Sequence, residues 1–161
     1  MRIRLSVLVN NEFGVLARVA NLFAARGYNI ASLNVAPTQD EGISRMTIVV
    51  EGEKEIVEQI EKQLNRMVNC LKVINLNDQP SVERELALIK MHTNDASRAE
   101  VLRITDIFRG SIVDLSADSY TIAISGDAGK INAIISLLKP LGIKEIARTG
   151  IVALTRELKT N

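Results

Sequence analysis

The chain has 161 residues, 47% of them hydrophobic and 24% charged, with a formal net charge of +1 at pH 7. This composition suits one large or two small globular domains with a buried core. The low net charge and the 3% aromatic content argue against a nucleic-acid-binding surface. No apolar run approaches the roughly 18 residues of a membrane helix, and a strand pattern begins at once, so we expect neither a membrane segment nor a signal peptide.

The hydrophobic periodicity of the first half predicts the order strand, helix, strand, strand, helix, strand. Gly27 is a natural left-handed end for the first helix. A polar QDEG stretch has the composition of a hairpin turn between the second and third strands. The predicted elements are strands at 3–9, 29–38, 43–51 and 68–76 and helices at 15–27 and 53–66.

The same order recurs after a polar, proline-containing stretch at 77–84, which we interpret as a linker. Ser97 and Glu100 have the spacing of a capping box at the start of a helix, and we expect Gly110 to end that helix. Gly150 is expected to bend the last strand. The remaining predicted elements are strands at 85–92, 111–116, 119–125 and 143–154 and a helix at 127–139.

Each half is therefore predicted to be a βαββαβ unit, in the ferredoxin-like arrangement with both helices on one face of the sheet. The expected fold class is α+β, with a first domain at 1–76, the linker at 77–84 and a second domain at 85–161. Each unit is short for a free-standing core, so we expect pairing between the units or between chains.

The NNEFGVL segment after the first strand carries the candidate site. Gly14 permits a tight turn that leaves the following helix N-terminus open to a carboxylate or phosphate. Asn29 and Ile30 begin the second strand, and we expect them near the same end of the unit. Asparagine amides beside an aliphatic wall from Val15 and Ile30 would suit a small zwitterion such as an amino acid. The alternative is that Asn11 only caps the helix and Gly14 only permits the turn.

Catalytic and metal-binding side chains are scarce. Cys70 and His92 are the only residues of their types and lie far apart, so we predict no catalytic residues and no metal site. A single cysteine excludes an internal disulfide and suits the cytoplasm, where we expect the protein. We interpret Cys70 as a half-buried structural thiol; catalysis by a Cys–His pair is an alternative that no local pattern supports.

Several runs together resemble one known family. Residues 4–18 (RLSVLVNNEFGVLAR) are similar to the opening of an ACT domain, the amino-acid-sensing module. Four further runs narrow the resemblance to the bacterial regulatory (small) subunit of acetohydroxyacid synthase, also called acetolactate synthase. They are 26–33 (RGYNIASL), 44–47 (SRMT), 59–64 (QIEKQL) and 82–86 (VEREL). The resemblance extends over nearly the whole chain.

The resemblance implies a regulatory subunit with no catalytic residues and no cofactor of its own. It implies a homodimer formed through ACT domains, with valine or a related branched-chain amino acid bound at the interface as a feedback inhibitor. The partner would be a catalytic subunit of branched-chain amino-acid biosynthesis that uses thiamine diphosphate, magnesium and FAD and that this chain activates. The implied effector-binding positions are Asn11, Gly14, Val15 and Leu16 of one chain with Asn29 and Ile30 of its neighbour.

Two other functions compete with this interpretation. A different double-ACT regulator, for example one that represses transcription through a partner, would share the fold and the sensing logic, but the runs at 26–33 and 82–86 favour the synthase subunit. A stand-alone enzyme is disfavoured by the scarcity of Cys and His and by the lack of a phosphate-binding glycine loop.

Overall fold

Two antiparallel sheets, each packed on one face against two helices, form the structure, a computed structural model that describes residues 2–92 and 94–157. Within this range, residues 2–82 and 151–157 form one unit, and residues 83–92 and 94–150 form the other. The end of the predicted second domain, 158–161, lies outside the described residues. The predicted α+β class and the two ferredoxin-like units are confirmed.

The first unit has the strand order β2-β3-β1-β4. The strand β3 pairs antiparallel with both β1 and β2. The strands β1 and β2 therefore run parallel to each other, and α1 links them. The edges of this sheet are β2 and β4. Its elements are β1 (Arg2–Asn10), α1 (Val15–Ala24), β2 (Ile30–Pro37), β3 (Ile43–Glu51), α2 (Lys54–Leu64) and β4 (Cys70–Asn75).

The core of the first unit lies between the sheet and the two helices. Alternate residues of β1 point to the helices, as a strand period of two requires, and α1 contributes Val15, Val19 and Phe23 at helical spacing. Phe23 is fully buried, and its carbonyl accepts the Tyr28 N–H at 3.0 Å. The helix α1 ends at Ala24, and Gly27 takes the predicted left-handed conformation, φ +70°, in the turn that follows.

The second unit repeats this order as β6-β7-β5-β8. Its core joins β5 and β7 to both of its helices. Glu85 is 3% exposed, and the guanidinium of Arg148 binds both oxygens of its carboxylate while also donating to Asn132 Oδ1 at 3.3 Å. The elements are β5 (Ser81–His92), α3 (Arg98–Ile107), β6 (Ser111–Leu115), β7 (Ser119–Gly126), α4 (Ala128–Leu138) and β8 (Ile143–Arg148).

The predicted last strand is divided in two. Gly150 has φ +73° and separates β8 from β9 (Val152–Thr155), which pairs with β5. Next to β9, the Arg156 N–H donates to the Pro80 carbonyl at 2.8 Å. The strand β5 also begins earlier than predicted, at Ser81, inside the stretch that we interpreted as a linker.

The capping box predicted at the start of α3 is wrong. Ser97 has helical backbone angles and caps no helix amide with its side chain. The Oδ1 of Asn94 accepts the N–H groups of Ala96 and Ser97 at 3.1 and 2.9 Å, and so closes the turn before the helix. Glu100 is committed to Arg103, whose Nε lies 2.8 Å from its Oε2.

The prediction that Gly110 ends α3 is also wrong, because the helix ends at Ile107. Arg109 takes the positive φ, +56°. Gly110 is needed for a different reason, since a Cβ there would lie 3.3 Å from the Ala123 carbonyl oxygen and from the side chains of Ile122 and Thr105. The glycine allows the chain to pass close to β7 rather than to turn.

This division of roles predicts opposite effects on stability at two neighbouring positions. Arg109→Gly should raise the free energy of unfolding by about 0.5–1 kcal/mol, because glycine tolerates a positive φ that costs other residues energy. Gly110→Ala should lower it, because the added methyl meets backbone. Urea unfolding of both variants measures the two effects, and a destabilised Arg109→Gly would contradict the assignment.

Candidate functional site

The turn from β1 into α1 leaves the start of the helix without a side-chain cap. Gly14 is the N-cap residue, has φ +79°, and no acidic residue lies in the first turn. A Cβ at Gly14 would meet no atom within 4 Å, so the space in front of the helix is open. Open amides and the positive end of the helix dipole together favour a carboxylate. An open helix start after Gly14 is the arrangement that the sequence predicts.

Asn11 is held by the hairpin between β2 and β3 rather than by the helix. Its N–H donates to the Gly42 carbonyl at 2.8 Å, and its Nδ2 donates to the Glu41 carbonyl at 2.9 Å. The interpretation of Asn11 as a helix cap is therefore wrong. Its Oδ1, an acceptor, is the part of this amide that would face an ammonium group.

A chain of polar side chains that sequence reasoning missed fixes the other side of the loop. Asn69 Nδ2 donates to Glu12 Oε2 at 3.0 Å, and Arg18 Nη1 donates to Asn69 Oδ1 at 2.8 Å. The Asn69 carbonyl also accepts the Asn10 N–H at 2.9 Å. Since Asn69 lies 57 residues from Glu12 along the chain, no local pattern could have indicated the contact.

The apolar residues of the loop differ in accessibility. Val15 is 3% exposed and belongs to the core, so the expectation that it forms the wall of an open pocket is wrong. Leu16 is 43% exposed, and Phe13 is fully exposed. Leu16 is thus the aliphatic side chain that a ligand at the start of α1 would contact.

Asn29 and Ile30 lie at the opposite end of the sheet, so the expectation that they share an end with Gly14 in one chain is wrong. Ile30 lies opposite Val50 on β3, whereas Asn10 lies opposite Ile43. Those positions on β3 are seven residues apart, 50 − 43, which corresponds to roughly 23 Å. The cause is the parallel direction of β1 and β2. Both strands start at the same end of the sheet, so the start of β2 lies far from the end of β1, where the Gly14 loop begins.

Metal-ligating side chains do not gather in the described ranges. No cluster of three or more His, Cys, Asp or Glu residues there could hold a metal ion. Glu61 on α2 has its carboxyl pKa raised mainly by burial. No helix in residues 2–92 and 94–157 is long and apolar enough to cross a membrane.

The family comparisons cover both units. Residues 5–72 match the family described as the AHAS small subunit-like ACT domain, and residues 84–157 match the small subunit of acetolactate synthase. The chain is 59% identical to an acetolactate synthase small subunit from Aquifex aeolicus over 155 residues, 96% of this chain and 81% of the relative. It is 48% identical to that of Mycobacterium bovis, over 94% of this chain and 90% of the relative.

The fold agrees with a solved structure of the same description. The crystal structure of an acetolactate synthase small subunit from Thermotoga maritima superposes with a TM-score of 0.89 and 43% sequence identity. The match covers 98% of this chain and 99% of that one.

The surroundings of Cys70 predict a slowly reacting thiol. The side chain is half-buried, and burial raises the pKa of the Cys70 thiol above its usual value, an effect that a backbone hydrogen bond at Lys72 partly offsets. Less thiolate is then present at pH 8 than in the unfolded chain. Alkylation at pH 8 should therefore be slower in the native chain than in urea. Equal alkylation rates would contradict this prediction. Because the chain has one cysteine, the measured rate reports on Cys70 alone.

Proposed function

The chain belongs to the acetolactate synthase small-subunit family, and we propose from this membership that it activates a catalytic subunit and makes it sensitive to valine or a related branched-chain amino acid. The observation that carries the effector assignment is the uncapped, open N-terminus of α1 behind Gly14. We place the protein in the cytoplasm, without a cofactor of its own.

The chemistry of the loop fits a zwitterion with an aliphatic side chain. The amides at the start of α1 would hold the effector carboxylate, as helix N-termini hold anions generally. The free Oδ1 of Asn11 would accept from the ammonium group. Leu16, partly exposed beside these groups, would contact the branched side chain. No full charge is required from the protein.

The second half of the site, Asn29 and Ile30, must then come from another copy of the chain. The edge strand β2 (IASLNVAP) carries no charged side chain, unlike the other edge, β4, which carries Lys72. Natural sheets protect free edges with charge, so an uncharged edge favours pairing. This comparison supports a homodimer through β2.

Antiparallel pairing of two β2 strands would bring the two halves together. Pro37 lies opposite Ser44 on β3, and Ser44 lies opposite Val9, so the Pro37 end of β2 is the end at which the Gly14 loop lies. In an antiparallel pair, the neighbour's Ile30 falls beside Pro37. The strand register keeps the Gly14 loop and the Asn29–Ile30 segment apart in one chain. Across a two-fold axis between two β2 strands, the same register would bring them together.

A site of this kind explains regulation without a chemical step on this subunit. An effector bound by both copies binds best at one relative placement of them, so it shifts the dimer toward that placement. The catalytic subunit responds if it binds the two placements differently, and the coupling must be reciprocal.

Acetolactate formation tests the function as a whole. The cognate catalytic subunit, supplied with pyruvate, thiamine diphosphate, magnesium and FAD, should be more active with this chain, and valine, leucine or isoleucine should reverse the gain. This chain alone should show no turnover. No change in activity together with no complex on a sizing column would reject the proposal.

Gly14→Asp should abolish inhibition by the amino acid and spare activation, because it puts a carboxylate where the effector carboxylate would lie. A matched control is Gly142→Asp, which makes the same change at another glycine with positive φ, +97°, in the second unit. The control should keep full sensitivity. Unaltered inhibition of Gly14→Asp would remove the site from this loop.

Mixing two defective variants tests whether the site spans two chains. Gly14→Asp and Asn29→Lys homodimers should both fail to bind the effector. Heterodimers isolated by two different affinity tags should regain one intact site, made of Gly14 from one copy and Asn29 from the other. Calorimetry should then give about half the wild-type stoichiometry, whereas a site within one chain predicts no binding by any of the three.

A further inference from the structure

The side chain of Asn69 joins the Gly14 loop to the helix that follows it. Its Nδ2 donates to the Glu12 carboxylate at 3.0 Å, and its Oδ1 accepts from the Arg18 guanidinium at 2.8 Å. The arginine therefore fixes which end of the amide faces the glutamate, because a guanidinium can only donate. Asn69 is half-buried in the turn before β4, outside the segment that binds the effector in the proposed function.

Glu12 is a competitor for the place that the effector carboxylate would take. It lies two residues before Gly14, at a helix whose first turn has no acidic residue and no side-chain cap. A free carboxylate at that distance is attracted to the same amides and the same dipole as an external one. In the structure it is instead turned toward Asn69.

We propose that Asn69 is a positioning residue for effector binding: it holds the Glu12 carboxylate away from the start of α1 and so keeps that position open. The inference rests on the proposed function, because it needs an effector carboxylate at this helix. It assigns control of effector affinity to a residue that lies outside the effector-binding segment of the proposed function.

The hydrogen bonds themselves argue against a purely structural role. Both side-chain bonds of Asn69 are exposed to solvent, where such bonds add little net stability. The two segments are in any case joined by backbone, from the Asn10 N–H to the Asn69 carbonyl at 2.9 Å. The Asn69 side chain adds control over where the Glu12 carboxylate points.

Asn69→Asp tests the proposal with an isosteric change. The variant keeps an acceptor for Arg18, loses the donor to Glu12 and places a second carboxylate beside it, so Glu12 is driven toward the helix. We expect the dissociation constant for valine, measured by calorimetry on the full-length chain, to rise about five- to tenfold. Leucine and isoleucine should be affected alike. Asn69→Ala, which removes the side-chain donor and acceptor without adding charge, should weaken binding in the same direction.

A second substitution separates charge placement from structural damage. Glu12→Gln in the Asn69→Asp background removes the competing charge and should restore the wild-type affinity within about twofold. If Asn69→Asp instead damaged the loop, adding Glu12→Gln would weaken effector binding further. Asn65→Asp is the matched control, since Asn65 is a nearby exposed asparagine that bonds only the Glu61 carbonyl, at 2.9 Å, and it should leave affinity unchanged.

The outcomes distinguish this inference from the proposed function. Weak binding by Asn69→Asp with rescue by Glu12→Gln supports it. Wild-type affinity in Asn69→Asp, or no rescue in the double variant with an unchanged melting temperature, overturns it while the effector site stands. Absence of binding of all three amino acids to the wild-type chain overturns both.

Discussion

The position of β3 between β1 and β2 is the constraint on which the rest of the first unit depends. Its antiparallel pairing with both neighbours makes β1 and β2 parallel and requires α1 to cross from one end of the sheet to the other. The Gly14 loop and the Asn29–Ile30 segment consequently mark the two ends of that crossing. One copy does not bring them together, whereas a second copy with its β2 reversed would do so in the proposed dimer. Topology thus makes a shared site a requirement for the proposed sensor.

The two units use the same fold with different helix starts. In the first, a left-handed glycine begins α1 and leaves its amides open. In the second, Asn94 accepts two N–H groups in the turn before α3, and Glu100 already places a carboxylate in the first turn of that helix. A sheet with two helices therefore provides the frame twice, with different residues at the two helix starts. This difference supports assigning the effector to the first unit.

Polar side chains on both sides hold the Gly14 loop in place. Asn11 bonds the β2–β3 hairpin, and Asn69 bonds Glu12 from the turn before β4, so the open helix start lies between two anchored segments. Preorganisation of this kind lowers the ordering cost when a small ligand binds. In the proposed sensor, these contacts would connect a bound effector to β3 and β4, the two strands that flank β1.

Local signals in the sequence predict the element order, the two ferredoxin-like units, the buried faces and the left-handed turn at Gly27, because alternation, helical spacing and glycine act over short distances. They also indicate an open helix start at Gly14. Four other features emerge from the folded structure: Val15 is buried, Asn11 bonds a hairpin, Arg109 rather than Gly110 takes the positive φ, and Asn29 lies at the opposite end of the sheet from Gly14. These outcomes depend on strand register and on contacts between residues distant in sequence, such as Glu12 with Asn69, which no local spacing encodes.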